Sequence, residues 1–406
     1  MKNQNTKLVL SADFELAKVC DMLGPAALEA YPELGKQYAL IDKFQDATYL
    51  VNESIYYFLS MFSSPAPLCR VYAELAADDA SVSQVARFIH ELREKEILVT
   101  PEQNNAVAEQ IAKEEEIPLP DVARHGVVKV LKHARHVWIG LVNDEARPEP
   151  YVLKKVLLPS WLSETERVRR TRDFAHEVAM HQAAGAHPNI VTLYGADMEK
   201  HEMMLEYVKG ESIRKFVKNS NPTMRECCRL MAKILTVFEH LHANGVLHGD
   251  IHSSNFLVTD QKEPMLFDFD MARSDGGNAR RKAAKIGGVY PYAPPERIST
   301  APLQIFNRKQ TSRTAEVYQL GIICYLLLYH ELPFEGATWK NLSGSILNVP
   351  PVWNPKTPGG ESIPVAMVDV LRKALEKNPA DRYATVREFA SAWARICEFL
   401  RTDSCN

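Results

Sequence analysis

The chain has 406 residues, 46% of them hydrophobic, and a formal net charge of −3, which suits two or three soluble domains with sizeable cores. Charge is unevenly spread: residues 1–120 hold 10 Lys/Arg against 19 Asp/Glu and the remainder 38 against 32, which argues against nucleic-acid binding by the first part, because phosphate contacts need cations. Seven cysteines without a Cys-x-x-Cys pair, no apolar leader, and no apolar run longer than Leu320 to Tyr329 point to a cytoplasmic protein without zinc or a membrane span.

Residues 8–37 have turn signals at Gly24-Pro25 and Pro32 but no assignable pattern. Two strand-like runs, 38–41 and 48–51, flank polar residues and predict a hairpin. A helix over 53–62 places Ile55, Phe58, Leu59 and Phe62 on one face. Pro65 and Pro67 end it, and a second helix follows over 68–77. Ser81-Val82-Ser83-Gln84 fits a capping box that opens a third helix with Val82, Val85, Ile89 and Leu92 in one stripe. A strand over 97–99 closes a winged-helix-like unit within 1–100. Residues 101–121 read as a linker, with Pro101, the run Glu114-Glu115-Glu116, Pro118 and Pro120. The order of elements over 38–100 resembles the leader-peptide recognition domains of enzymes of ribosomally made peptide natural products. That resemblance implies an extended peptide, such as a leader peptide, bound at a strand edge. A regulatory or oligomerising winged helix, or a plain appendage, fits the same pattern.

The next segment reads as strand, turn, strand: 127–131, then Lys132-His133-Ala134-Arg135-His136, then 137–142. A third strand holds Tyr151-Val152-Leu153-Lys154, and a helix over 163–184 carries Glu177 before His187-Pro188-Asn189-Ile190-Val191. The strand 203–208 follows, then a helix over 224–243. After Gly245 comes a polar loop with Asp250 and, five residues later, Asn255; Asp268 stands behind another strand-like run. A carboxylate can take a hydroxyl proton, and a carboxamide with a second acid can ligate Mg²⁺.

His248-Gly249-Asp250 with Asn255, followed by Asp268-Phe269-Asp270, resembles the catalytic loop and metal-binding triplet of protein kinases. Matches in sequence order over 127–395 extend the resemblance to eukaryotic-type kinases of bacteria. It implies an α+β fold, a two-lobed kinase-like domain with a small lobe over 122–210 and a large lobe over 211–406, behind the N-terminal unit. It also implies the family's roles, with ATP and Mg²⁺ as cofactors. Lys154 would hold the α and β phosphates and pair with Glu177. Leu205 would line the adenine pocket, with Glu206 and Val208 bonding adenine through their backbones. Asp250 would accept the hydroxyl proton, and Asn255 and Asp268 would bind metal. Glu296 in Tyr292-Ala293-Pro294-Pro295-Glu296 would pair with Arg382.

Departures from the family carry information too. The 132–136 turn has no glycine to offer backbone N–H groups to phosphate, so Lys132, His133, Arg135 and His136 are candidates to supply side-chain charge. Gly249 replaces an arginine that commonly binds a phosphorylated activation loop, and Ser274 is the only Ser or Thr from Asp268 to Glu296; both suggest activity without that switch. Asp270 replaces a glycine and fits either the metal site or a turn; Glu316 replaces an aspartate. Arg280, Arg281, Lys282 and Lys285 make the activation loop basic, as a solvated loop or an attractor of acidic peptide. His252 stands where Ser/Thr kinases have lysine, and Val289 where they have threonine. His252 is a candidate to bond the γ-phosphate or to position Asp250. His-Gly-Asp-x-His also resembles small-molecule kinases of the aminoglycoside and choline type. The reading is a kinase of Ser/Thr hydroxyls on a peptide or protein recruited by the N-terminal domain. Its alternatives are a pseudokinase scaffold that binds a partner and a small-molecule kinase. Neither nucleic acid nor membrane is expected as a partner.

Overall fold

A computed structural model describes residues 6–18, 38–42, 47–51, 53–75, 79–94, 97–114, 126–134, 137–144, 147–158, 162, 164–275, 290–298, 311–336 and 339–402. The N-terminal unit begins with β1 (Lys7–Leu10), β2 (Phe14–Lys18), β3 (Tyr38–Asp42) and β4 (Ala47–Val51). Helix α1 (Glu53–Ser60), strand β5 (Ala66–Pro67), helices α2 (Leu68–Leu75) and α3 (Asp79–Glu94) and strand β6 (Leu98–Val99) follow. Strands β2, β3 and β4 form one antiparallel sheet, with Tyr38 opposite Val51 and Lys18 opposite Tyr38. Strand β1 lies between β5 and β6 in a second sheet. Ile55, Phe58, Leu59 and Phe62 pack with Val71, Val85, Phe88, Ile89 and Leu92 in one core, as their helical spacing predicts.

Three readings of this region are corrected. The unassigned stretch contains β1 and β2, whose partners lie 20 or more residues away, beyond the reach of a local pattern. Helix α3 starts at Asp79, so Ser81 lies within its first turn rather than capping it. The first 14 residues of the expected linker are helix α4 (Pro101–Glu114). Its start is a capping box: Gln103 N–H donates to Thr100 Oγ1 at 3.3 Å, and Thr100 N–H donates to Gln103 Oε1 at 2.9 Å. Pro101 suits the first helical position, where no N–H is needed. Asn104 then accepts from Ala12 N–H at 2.7 Å, which ties α4 to the β1–β2 turn.

The next sheet has the order β10-β11-β9-β8-β7, every neighbour antiparallel. It comprises β7 (Gly126–Ala134), β8 (Val137–Asp144), β9 (Arg147–Val156), β10 (Leu193–Asp197) and β11 (Glu202–Glu206), with helix α5 (Glu164–Ala184) between β9 and β10. Trp138 on β8 is fully buried. A Cβ on Gly140, two residues along the same face, would meet its indole at 2.2 Å. Gly140→Ala is therefore expected to cost about 1–3 kcal/mol by overpacking, read as a lower melting temperature.

The large lobe runs through β12 (Gly210–Ser212), α6 (Ile213–Ser220), α7 (Met224–Ala243), β13 (Val246–Leu247), β14 (Phe256–Thr259), β15 (Pro264–Leu266) and β16 (Arg273–Ser274). Helices α8 (Arg313–Tyr329), α9 (Trp339–Asn348), α10 (Val365–Ala374) and α11 (Val386–Thr402) complete it. Thr223 and Glu226 form a reciprocal capping box at the start of α7. Helix α8 is buried on all sides from Ala315 to Tyr329, so the lobe is built around it.

Candidate active site

Two strand pairs clamp two loops side by side. β13 pairs with β16, Leu247 opposite Arg273, and β14 with β15, Phe256 opposite Leu266. Residues 248–255 and 267–272 are the loops between them, joined where Phe267 N–H donates to Asn255 O at 3.1 Å. Gly249 has φ +79°, and a Cβ there would lie 2.6 Å from Met271 O. The family's arginine is thus excluded by the close approach of the two loops as well as by backbone conformation.

The carboxylate of Glu316, wholly buried at the start of α8, holds this loop. Its Oε1 accepts Gly249 N–H at 2.8 Å, and its Oε2 lies 2.6 Å from Nε2 of buried His242. The next residue is Asp250. His252 Nδ1 accepts Ser254 N–H at 3.2 Å, which places the neutral ring's proton on Nε2, 3.4 Å from Asp250 Oδ2. Asn255 Nδ2–H donates to Asp250 O at 2.9 Å, which leaves its Oδ1 as the oxygen to offer a metal. Tyr292 O–H donates to Ser253 Oγ at 2.9 Å in the same turn.

Asp268 has φ +70°, a conformation that costs a non-glycine residue on the order of 1–3 kcal/mol and is typical of functional loops. Its Oδ1 is 3.9 Å from Lys154 Nζ on β9, which is 2.5 Å from Glu177 Oε1 on α5. Burial works against the Lys154 ammonium, but the carboxylates of Glu177, Asp268 and Asp270 prevail and raise its pKa. Asp270 N–H donates to Asp268 Oδ1 at 3.4 Å. Lys155 points away and pairs with Glu202 at 2.9 Å.

Helix α5 is fastened to the Asp268 loop by two histidines. His176 Nε2–H donates to Ala272 O at 2.8 Å. The ring of buried His181 lies 4.6 Å from that of Phe269, which is 5.3 Å from the ring of His248. Burial lowers the His181 pKa below the ordinary 6.5, against the bond to Val191 O and with help from Lys154 and His248. Below pH 6.5 the unfolded ring takes up a proton that the folded ring refuses, so stability falls with pH there. Urea unfolding at pH 7.5 and 5.5 is expected to differ less for His181→Phe than for the parent.

The expected lid turn is corrected. Strand β7 continues through Ala134, with a register shift against β8 between Val130 and Lys132, so Lys132 and His133 belong to a strand. Arg135 and His136 lie outside the described residues, as do Arg280, Arg281, Lys282, Lys285 and Val289. Lys132 pairs with Ile139, and Ile139 with Lys154. Residues opposite one another share a face, so both lysines and Ile139 form one row. Val130, Leu131 and Lys132 are exposed, so this part of β7 is not folded into the cleft. Leu205 and Glu206 end β11 and Val208 follows it; all three are partly exposed. The Glu206 carboxylate is engaged with Thr192 N–H and O–H at 3.0 and 2.8 Å, so backbone groups are what this segment offers to a ligand.

Among the described residues no three His, Cys, Asp or Glu side chains gather as a metal cluster. Mg²⁺ needs none, since it takes one or two protein oxygens with phosphate and water, and the hard oxygens of Asn255 and Asp268 fit it. No described helix is long and apolar enough to cross a membrane. Sequence reading missed His181, His242 and the anchoring by Glu316. A signal existed for His181, which stands one helical turn after Glu177.

A strand-borne lysine paired with a helical glutamate, facing an Asp–Asn loop and a second acid across a cleft, defines a two-lobed kinase-like protein. The family model for the protein kinase domain matches residues 141–394, and the chain belongs to that family. It is 24% identical over 241 residues to serine/threonine-protein kinase PrkC of Bacillus subtilis, covering 58% of this chain and 34% of PrkC. It is 26% identical over 227 residues to serine/threonine-protein kinase PknB of Mycobacterium tuberculosis, covering 54% and 35%. The chain therefore spans about a third of the length of these curated relatives.

Proposed function

We propose that the chain is an ATP- and Mg²⁺-dependent phosphotransferase acting on Ser/Thr hydroxyls of a peptide or protein recruited by its N-terminal unit. The observation that carries the reading is the convergence of Lys154, Glu177 and Asp268, at 2.5 and 3.9 Å, on the loop holding Asp250 and Asn255. The names of the relatives PrkC and PknB support the Ser/Thr acceptor.

Each residue has a definable task. Asp250 accepts the hydroxyl proton, and His252 Nε2–H steadies its carboxylate. Asn255 and Asp268 would hold Mg²⁺, which when bound screens the charge of the phosphates. Lys154 holds the nucleotide's phosphates and Glu177 fixes Lys154. Leu205 lines the base pocket, with the Glu206 and Val208 backbones facing the base. Lys132, in the same row as Lys154, supplies from a side chain what glycine N–H groups supply elsewhere. Lys132→Ala is then expected to raise KM for ATP about tenfold, the loss of one charged hydrogen bond of roughly 1.5 kcal/mol, with kcat little changed.

Recruitment is supported by the sheet β2-β3-β4, whose outer strands have no further neighbour among the described residues. An extended peptide, a leader peptide included, can add to such an edge. The test is transfer of labelled phosphate from ATP to Ser/Thr peptides with the full chain. Mg-dependent transfer is expected; nucleotide binding without transfer to any hydroxyl would overturn the reading.

A further inference from the structure

Three tyrosines meet where β3 faces α1. The Tyr38 ring lies 4.2 Å from Tyr56 and 6.1 Å from Tyr57, and Tyr56 and Tyr57 are 5.7 Å apart, nearly edge to face. Tyr38 and Tyr56 lean on the core of the unit, but Tyr57 is 56% exposed. Core packing does not explain it: Ile55, Phe58 and Leu59 are the residues through which α1 is buried. The exposed carboxylate of Glu53, one helical turn before Tyr57, acts on Tyr38. A hydrogen bond to Tyr57, burial and the Glu53 charge push the Tyr38 phenol up to about 12, so that ring stays neutral at physiological pH.

We propose that Tyr38, Tyr56, Tyr57 and Glu53 form a docking surface for a basic peptide segment, with a Lys or Arg side chain laid on the Tyr57 ring and its charge toward Glu53. Aromatic faces attract cations, and a nearby carboxylate completes the complement. The charge of the region selects this occupant: residues 1–120 carry 10 Lys/Arg against 19 Asp/Glu, so a basic peptide is drawn to it and an acidic one repelled. Lys18, exposed and opposite Tyr38 in register, is the chain's own cation at the rim. The inference rests on the reading of this unit as peptide-recruiting and names the chemistry of the peptide.

The test is fluorescence anisotropy on the full chain without nucleotide, using a labelled decapeptide of alternating Lys and Val and its Glu-Val counterpart. The Lys probe is expected to bind at least about tenfold more tightly, and to weaken in high salt. Tyr57→Ala and Glu53→Gln should each weaken it by about three- to tenfold, Tyr57→Phe much less, and Lys18→Glu should strengthen it. Circular dichroism melting checks that the variants fold; if Tyr57→Ala does not, the Tyr57→Phe and Glu53→Gln pair decides. Equal binding of the two probes, no binding of the Lys probe, or binding indifferent to both Tyr57 and Glu53 would overturn the proposal. Phosphoryl transfer is measured separately on the parent chain, so its absence with Lys-probe binding intact would sink the kinase reading alone.

Discussion

Asparagine in place of Asp250 is expected to lower phosphoryl transfer by about two to four orders of magnitude while leaving nucleotide binding in place. The substitution keeps the shape of the side chain and removes its capacity to take a proton. What positions residue 250 is chiefly backbone: Gly249 N–H on Glu316 at 2.8 Å, and Asp250 O under Asn255 Nδ2 at 2.9 Å. Neither contact involves the 250 carboxylate, so the loop should hold its form. Mg-ATP should therefore still raise the melting temperature of the variant. Single-turnover transfer measured beside that thermal shift separates chemistry from binding. Unchanged transfer in the Asn variant would mean that Asp250 is not the base. His252→Gln should fall between the two, because it loosens the 3.4 Å contact to Asp250 Oδ2 without removing the proton acceptor.

The parts of this site that were legible in the sequence are those whose partners are close along the chain or whose spacing is set by one element. Asp250 and Asn255 share one loop, and five residues suffice to place both at its mouth. Lys154 and Lys155 were separable because a regular strand sends neighbours to opposite faces, and they pair with Glu177 and Glu202 respectively. The rest depends on contacts distant in sequence. Glu316 reaches Gly249 across 67 residues and His242 across 74, and its helix looked only apolar. His181 meets Phe269 through a fold that must already exist. Composition revealed that the lid lacks glycine, but not that a register shift would set Lys132 opposite Ile139, which lies opposite Lys154. Likewise β1 could not be read, because β5 and β6 flank it from residues 66–67 and 98–99. Helix α4 was missed for another reason: two prolines and a glutamate run near its end masked a capping box at its start.

The largest effect on stability is expected from Arg382. Its side chain is wholly buried, and its Nη1 and Nη2 donate to Glu296 Oε1 and Oε2 at 2.9 and 2.7 Å. It also donates to the carbonyl oxygens of Thr314 at 3.0 Å, Glu376 at 2.7 Å and Lys377 at 3.0 Å, and its guanidinium lies 4.7 Å over the Tyr318 ring. One cation thus joins the end of the activation segment, the start of α8 and the turn before α11. Arg382→Ala leaves a carboxylate and three carbonyls without their donor, for an expected loss of about 3–5 kcal/mol, or about 10 °C in melting temperature for a domain of this size. Arg382→Lys should recover little, because an ammonium cannot reproduce the planar fork. Glu296→Gln should cost less than Arg382→Ala, since the guanidinium keeps its three carbonyl acceptors. If Arg382→Ala melted within 2 °C of the parent, the pair would be no anchor. A double-mutant cycle with Glu296→Ala then separates the ion pair from the carbonyl contacts. A coupling well below the loss in Arg382→Ala alone would mean that the carbonyl contacts to the start of α8 and the turn after α10, more than the Glu296 charge, carry the stability that Arg382 supplies.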